Sequence, residues 1–151
     1  EILIGLVGSE MCIRDSAKSG FIAWIAKLIG TAVAAADMGW VASFVLISLI
    51  YIYSHYCFAS VTARISAMYA AFVAVAAACG VPAMLVAITF GCFANLPISL
   101  THYGNGCGPV YFGAGYVSQG EWWRNGFIIT TINVVIWLTI GMTWWKFIGL
   151  Y

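Results

Sequence analysis

Charge is what this sequence has least of. Its 151 residues include six Lys or Arg and five Asp or Glu, 7% in all, where a typical soluble domain carries about 25%. So few charges cannot make a water-facing surface, and a soluble globular domain is excluded. The net charge of +1 gives no basis for a nucleic-acid partner. Paired cysteines are missing as well. Cys12, Cys57, Cys79, Cys92 and Cys107 stand alone with no C-x-x-C spacing, and a free cysteine in an apolar helix behaves as a small hydrophobe. His55 and Cys57 hint at a metal pair, but no second pair accompanies them. No G-x-S-x-G elbow supports the pairing of His55 or His102 with Ser54, Ser60 or Ser99, so an intramembrane hydrolase is a minor alternative.

What the chain does have is apolar length. Hydrophobic residues make up 64% and aromatic residues 16%, with a mean hydropathy of +1.00. No charged residue lies between Arg64 and Glu121, nor between Arg124 and Lys146. A spanning helix needs roughly 20 mainly apolar residues to cross a hydrocarbon core of about 30 Å. The first stretch holds more than one crossing and the second holds one. The solvent is lipid, and the expected fold class is an all-α integral membrane protein. The basic residues divide too evenly around the last helix to fix its orientation.

Residues 1–16 (EILIGLVGSEMCIRDS) read unlike the rest. They lack the apolar core and small-residue cleavage site of a signal peptide, and GSEMCIRDS resembles translated read-through of a sequencing adaptor. They are set aside as a non-native segment, and the native protein is expected to extend upstream of Ala17. Residues 17–36 have helical periodicity: Phe21, Trp24, Ile25, Leu28, Ile29 and Ala32 share one face. Lys18 and Lys27 favour a helix lying in the membrane interface, with Trp24 at headgroup level. Residues 40–56 and 65–79 are apolar helices, the second alanine-rich and suited to close packing. Gly80 and Pro82 stop one helix and start the next, which runs over 83–94. Residues 110–117 are short and aromatic. Residues 118–125 read as a hydrophilic turn with Trp122 and Trp123 as interfacial anchors, and 126–148 as the strongest spanning helix.

Chemistry has two candidate seats. A polar knot at 60–64 separates two helices of roughly 16 residues, both short for a full crossing. A re-entrant hairpin would put its tip inside the membrane, where the helix start and Arg64 make a positive end suited to an anion. The plainer alternative makes Ser60 and Thr62 ordinary N-caps at a full-span turn. The second seat is 95–109, where Pro97, Gly104, Gly106, Gly108 and Pro109 forbid an ordinary helix. Such backbone is tolerated at membrane depth only in protein or beside a water-filled cavity, and paired broken helices are how many transporters build a substrate site. An aqueous loop is the alternative.

At these two features the sequence resembles a known family. SHYCFASVTARISAMYAAF, then GVPAMLVAITFGCFANLPISLTHYGNGCGPVYFGAGYVSQGEWWRNGF and the closing WWKFIGLY are similar to the divalent anion:sodium symporter (DASS) family. The likeness is to its di- and tricarboxylate exchanger branch, with citrate/succinate antiporters and 2-oxoglutarate/malate translocators. It covers residues 17–151, and the pattern LTHYGxGxxPVYFGxGYV is long and specific. The resemblance implies the second inverted repeat of an elevator-type transporter. Its parts would be an interfacial arm helix (17–36), a re-entrant hairpin (40–79), a broken helix (82–117) and a last transmembrane helix (126–148). The family's Ser-Asn-Thr tip motif falls on Ser60, Val61 and Thr62, and the broken-helix loop supplies Thr101, His102 and Asn105 as cavity-facing residues. With Arg64 these are the expected substrate-binding residues, with a sodium site near Ser60 and Asn95 as the metal alternative. Val61 replaces the asparagine and offers no side-chain oxygen to a cation, which makes exchange without sodium the expectation and sodium-coupled symport the alternative. The resemblance further implies no enzyme activity and no cofactor. Its expected partners are small carboxylate anions, the lipid bilayer, an N-terminal repeat of the same protein and a second copy in a homodimer. The expected location is a bacterial inner membrane. A non-transporting membrane subunit is the remaining alternative.

Overall fold

The computed structural model describes residues 20, 24, 27, 28, 30, 31, 39–58 and 60–151. The expected non-native segment 1–16 lies outside them. So does most of the arm helix expected over 17–36, of which Trp24, Lys27, Leu28, Gly30 and Thr31 are described and are helical. From residue 39 onward the regular structure is helical: α1 (Trp40–Tyr53), α2 (Val61–Ala78), α3 (Ala83–Phe93), α4 (Gly108–Gly113), α5 (Gln119–Ile136) and α6 (Met142–Phe147). Short 3-10 turns occupy Ser54–Cys57 and Leu96–Ser99, and a π turn at Trp137–Gly141 joins α5 to α6. Among the described residues, three apolar helices are long enough to cross a membrane: Trp40–Cys57 and Val61–Ala78 with 18 residues each, and Gln119–Phe147 with 29. At a rise of 1.5 Å per residue these reach about 27 Å and about 43 Å. The chain is an all-α integral membrane protein.

The core forms where three helix faces meet. On α2 the buried residues are Arg64, Met68, Phe72 and Ala76, spaced by four along one face. On α1 they include Phe44, Ile47 and Tyr51, and on α3 Leu85, Val86, Phe90 and Phe93. Tyr51 stacks on Phe90 with ring centroids 4.8 Å apart and packs against Phe72 at 5.7 Å. The Tyr69 hydroxyl donates to the Ala87 carbonyl at 2.9 Å, tying α2 to α3. Between those helices Gly80 takes a φ of +81°, a left-handed conformation that side chains disfavour. Its N–H donates to Ala77 O and that of Val81 to Ala76 O, which satisfies the last carbonyls of α2.

The last long helix begins seven residues before the expected 126. Residues 118–125 are not a turn, because Ser118 and Glu121 form a capping box. The Ser118 hydroxyl accepts from the Glu121 N–H, and the Glu121 carboxylate accepts from the Ser118 N–H at 2.9 Å. Two orphan donors of the helix start are satisfied at once, so helix propagates through Trp122 and Trp123. Gly126 lets α5 lie directly on the Leu96–Ser99 turn, since a Cβ there would collide with the Ser99 carbonyl oxygen. Tyr53 and Thr131 hydroxyls meet at 2.7 Å beside that contact, fastening α5 to the end of α1.

Candidate functional site

The end of the α1–α2 hairpin touches the loop between α3 and α4. Its clasp is one backbone bond, from the Val61 N–H to the Gly104 carbonyl at 3.2 Å. Beside the clasp opens a cleft of about 490 Å³, lined by Ser60, Val61 and Thr62 on one side and by Asn95, Ile98 and residues 104–106 on the other. Ser60 occupies the N-cap position in an extended conformation, φ −150° and ψ 137°, yet its hydroxyl caps nothing. Thr62 and Ala63 lie in the first turn of α2, where N–H groups have no acceptor within the helix. An 18-residue helix thus presents its positive end to the cleft.

Asn105 organises the loop across from that helix end. Its side-chain oxygen accepts from the N–H groups of Cys107 at 2.9 Å and Gly108 at 2.6 Å, which starts α4, while its amide donates to Ile98 O at 3.1 Å. Two glycines are needed for close approach. A Cβ at Gly108 would collide with the His102 carbonyl, and one at Gly104 would meet His55 Nε2 and, at 2.6 Å, Thr101 Oγ1. The Tyr103 hydroxyl donates to the Tyr56 carbonyl at 3.0 Å, binding the loop to the hairpin a second time.

Of the expected site residues, Ser60, Val61, Thr62 and Asn105 line the cleft, as does Asn95. Arg64 does not. It is fully buried, and its guanidinium donates to the carbonyls of Tyr51 at 2.9 Å, Ala94 at 2.6 Å and Phe93 at 3.4 Å. It also lies over the Tyr51 ring, 4.6 Å from the centroid. Thr101 and His102, expected to face a cavity, do not line this cleft either. Thr101 is fully buried behind Gly104. His102 stacks on Phe112 at 4.4 Å and on Trp123 at 6.4 Å, and its Nδ1 accepts from the Trp123 indole N–H at 3.3 Å. The glycines let the chain reverse here, so backbone at 104–106 lines the cleft while the larger side chains turn into protein. Gly104, marked in the sequence only as a helix breaker, and His55, marked only as a candidate metal or hydrolase residue, meet at this contact, and nothing local in the sequence brings them together.

Among the described residues, three membrane-length helices, with a helix start and a glycine-rich loop meeting at one cleft, fit an integral membrane protein. The family model described as "Sodium:sulfate symporter transmembrane region" matches residues 1–151, and the chain belongs to that family. It is 46% identical over 134 residues to "Dicarboxylate transporter 1, chloroplastic" of Spinacia oleracea, a match covering 89% of this chain and 24% of that protein. It is 45% identical over 132 residues to "Putative malate transporter YflS" of Bacillus subtilis (strain 168), covering 87% and 27%. With "Inner membrane protein YbhI" of Escherichia coli (strain K12) the identity is 34% over 142 residues, covering 94% and 29%. The chain therefore spans about a quarter of the length of these relatives.

Proposed function

We propose that the full-length protein carrying this chain exchanges small dicarboxylates, of the succinate, malate and 2-oxoglutarate class, or tricarboxylates such as citrate, across a membrane. The cleft at the α2 N-terminus is one half of its substrate site. One observation carries this reading: Ser60, whose hydroxyl caps nothing, and Thr62, both at the start of α2, line one cleft with Asn95. A carboxylate placed there would accept from hydroxyls and backbone N–H groups at the positive end of a helix dipole. Relatives named as dicarboxylate and malate transporters support the substrate class. On this reading 40–79 is a re-entrant hairpin, 82–117 a broken helix and 119–147 the last crossing, together the second repeat of an elevator carrier. The rest of the protein supplies the other half of the site and the contacts of a homodimer, in a bacterial inner membrane.

Exchange is favoured over sodium coupling by Val61 and Arg64. Val61 brings no side-chain oxygen to the tip. Arg64 holds a fixed positive charge against carbonyls at the ends of α1 and α3, and helix C-terminal carbonyls are where broken-helix transporters place a coupling cation. Sodium symport is the second reading, because Ser60 and Asn95 bring oxygens to the same cleft. Uptake of labelled succinate or malate into proteoliposomes separates the two. Exchange predicts uptake that requires dicarboxylate inside the vesicle and is indifferent to external sodium. Strong sodium dependence would overturn the exchange reading, and no uptake of any di- or tricarboxylate would overturn both.

A further inference from the structure

The clasp at Gly104 has a second side. In front, its carbonyl accepts from the N–H of Val61. Behind it stand His55, on the 3-10 turn that ends α1, and Thr101, three residues upstream in the loop. Both are fully buried, and neither His55 ring nitrogen nor the Thr101 hydroxyl has a hydrogen-bond partner. The two side chains converge: His55 Nε2 and Thr101 Oγ1 occupy the space that a Cβ on residue 104 would need. The glycine backbone is gripped from the α1 side and from within its own loop.

Packing alone does not account for an imidazole there. Buried ring nitrogens lose their water and gain no partner, a penalty that a phenyl ring of similar shape avoids. The group facing both polar atoms is the Gly104 Cα, whose C–H is a weak donor. We infer that His55 and Thr101 are positioning residues of the substrate cleft, which act through Gly104 to hold its carbonyl on the Val61 N–H and so fix the start of α2. The inference rests on the carboxylate site proposed above and names what keeps that site in register. Because both side chains act on one backbone segment, they are energetically coupled: losing either frees Gly104, and losing the second frees little more.

The test uses the full-length protein in proteoliposomes, with His55→Phe, His55→Gln, Thr101→Val and the His55→Phe/Thr101→Val double variant. Two quantities are read, the concentration dependence of dicarboxylate uptake and amide hydrogen exchange at Val61. His55→Phe and Thr101→Val are each expected to raise the half-saturating concentration about tenfold, with the maximal rate within about twofold. Both should speed exchange at Val61. The double variant should be no worse than the worse single, and His55→Gln, which restores a polar group, should recover most of the protection. Thr101→Val is nearly isosteric and carries the test if His55→Phe does not fold. Unchanged Val61 exchange and half-saturation in the single variants, or additive losses in the double, would overturn the inference. Should the parent protein move no dicarboxylate, the functional reading falls while exchange at Val61 still decides the positioning role.

Discussion

Arg64 shows how one residue can serve a site without lining it. The guanidinium bridges carbonyls of Tyr51, Phe93 and Ala94 and covers the Tyr51 ring. Helix C-termini carry partial negative charge, so one buried cation neutralises the ends of α1 and α3 together. Replacing it with alanine takes the side-chain donor from the Phe93 and Ala94 carbonyls, at about 1–3 kcal/mol each, while Tyr51 O keeps the Ser54 hydroxyl at 2.7 Å. Arg64→Ala should therefore lower the stability of the full-length protein by about 3 kcal/mol or more. Lys146→Ala, at an exposed position, should change it by less than about 0.5 kcal/mol. Thermal unfolding in detergent measures both, and equal shifts would remove the bridging role. Arg64→Lys should fall between, since an ammonium lacks the planar fork that reaches two helix ends. The sequence marks Arg64 as a lone charge before a long apolar run. Its spacing of four to Met68, Phe72 and Ala76 also places it on the buried stripe of α2, a sign more informative than its nearness to the tip. Thr101 and His102 carried no such periodic sign, because loop direction is set by glycine crowding rather than by pattern.

Helix existence was written plainly in the apolar runs, and helix ends less so. The first hairpin helix and α3 fall where apolar length and the Gly80–Pro82 break put them, whereas α2 starts at Val61, a turn before the expected 65. The start of α5 differs from expectation because 118–125 reads as a hydrophilic turn, although the S-x-x-E box formed by Ser118 and Glu121 is itself a start signal. Trp145 is buried, with its ring 5.6 Å from that of Trp137, because the two lie eight residues apart on one face across the π turn. Two glycines of α5 separate contact from propensity. Gly126→Ala should destabilise the protein by about 1–3 kcal/mol, because its Cβ would meet a carbonyl that belongs to backbone and cannot swing aside. Gly120 has nothing within 4 Å of the same added atom, so Gly120→Ala should be neutral or stabilise by up to about 1 kcal/mol. Opposite or clearly unequal shifts in Tm support this account of the α5 contact. Equal shifts would mean that α5 does not lie on the Leu96–Ser99 turn as described.

At the scale of the whole molecule, depth in the bilayer should decide what a surface change costs. The helix Gln119–Phe147 is longer than a hydrocarbon core of about 30 Å needs, so on crossing it would project its two ends toward headgroups and keep its middle in lipid or against the remainder of the protein. Ile132 lies next to the midpoint of that helix and Ile148 just beyond its end, yet both are 54% exposed. Exposure alone gives them the same tolerance. The membrane does not. A lysine at the centre of a spanning helix costs roughly 2.5–3.5 kcal/mol on insertion, and either lipid or apolar protein would impose that penalty at Ile132. Near the end a lysine can extend its ammonium to the interface at little cost, as Lys146 is placed to do. Ile132→Lys should therefore sharply reduce the yield of membrane-inserted full-length protein, while Ile148→Lys should leave it near the parent level. Equal yields would mean that Gln119–Phe147 does not cross the bilayer with its centre at Ile132. The end of α1 and the Leu96–Ser99 turn, which meet α5 at Thr131 and Gly126, would then lose their proposed depth along with it.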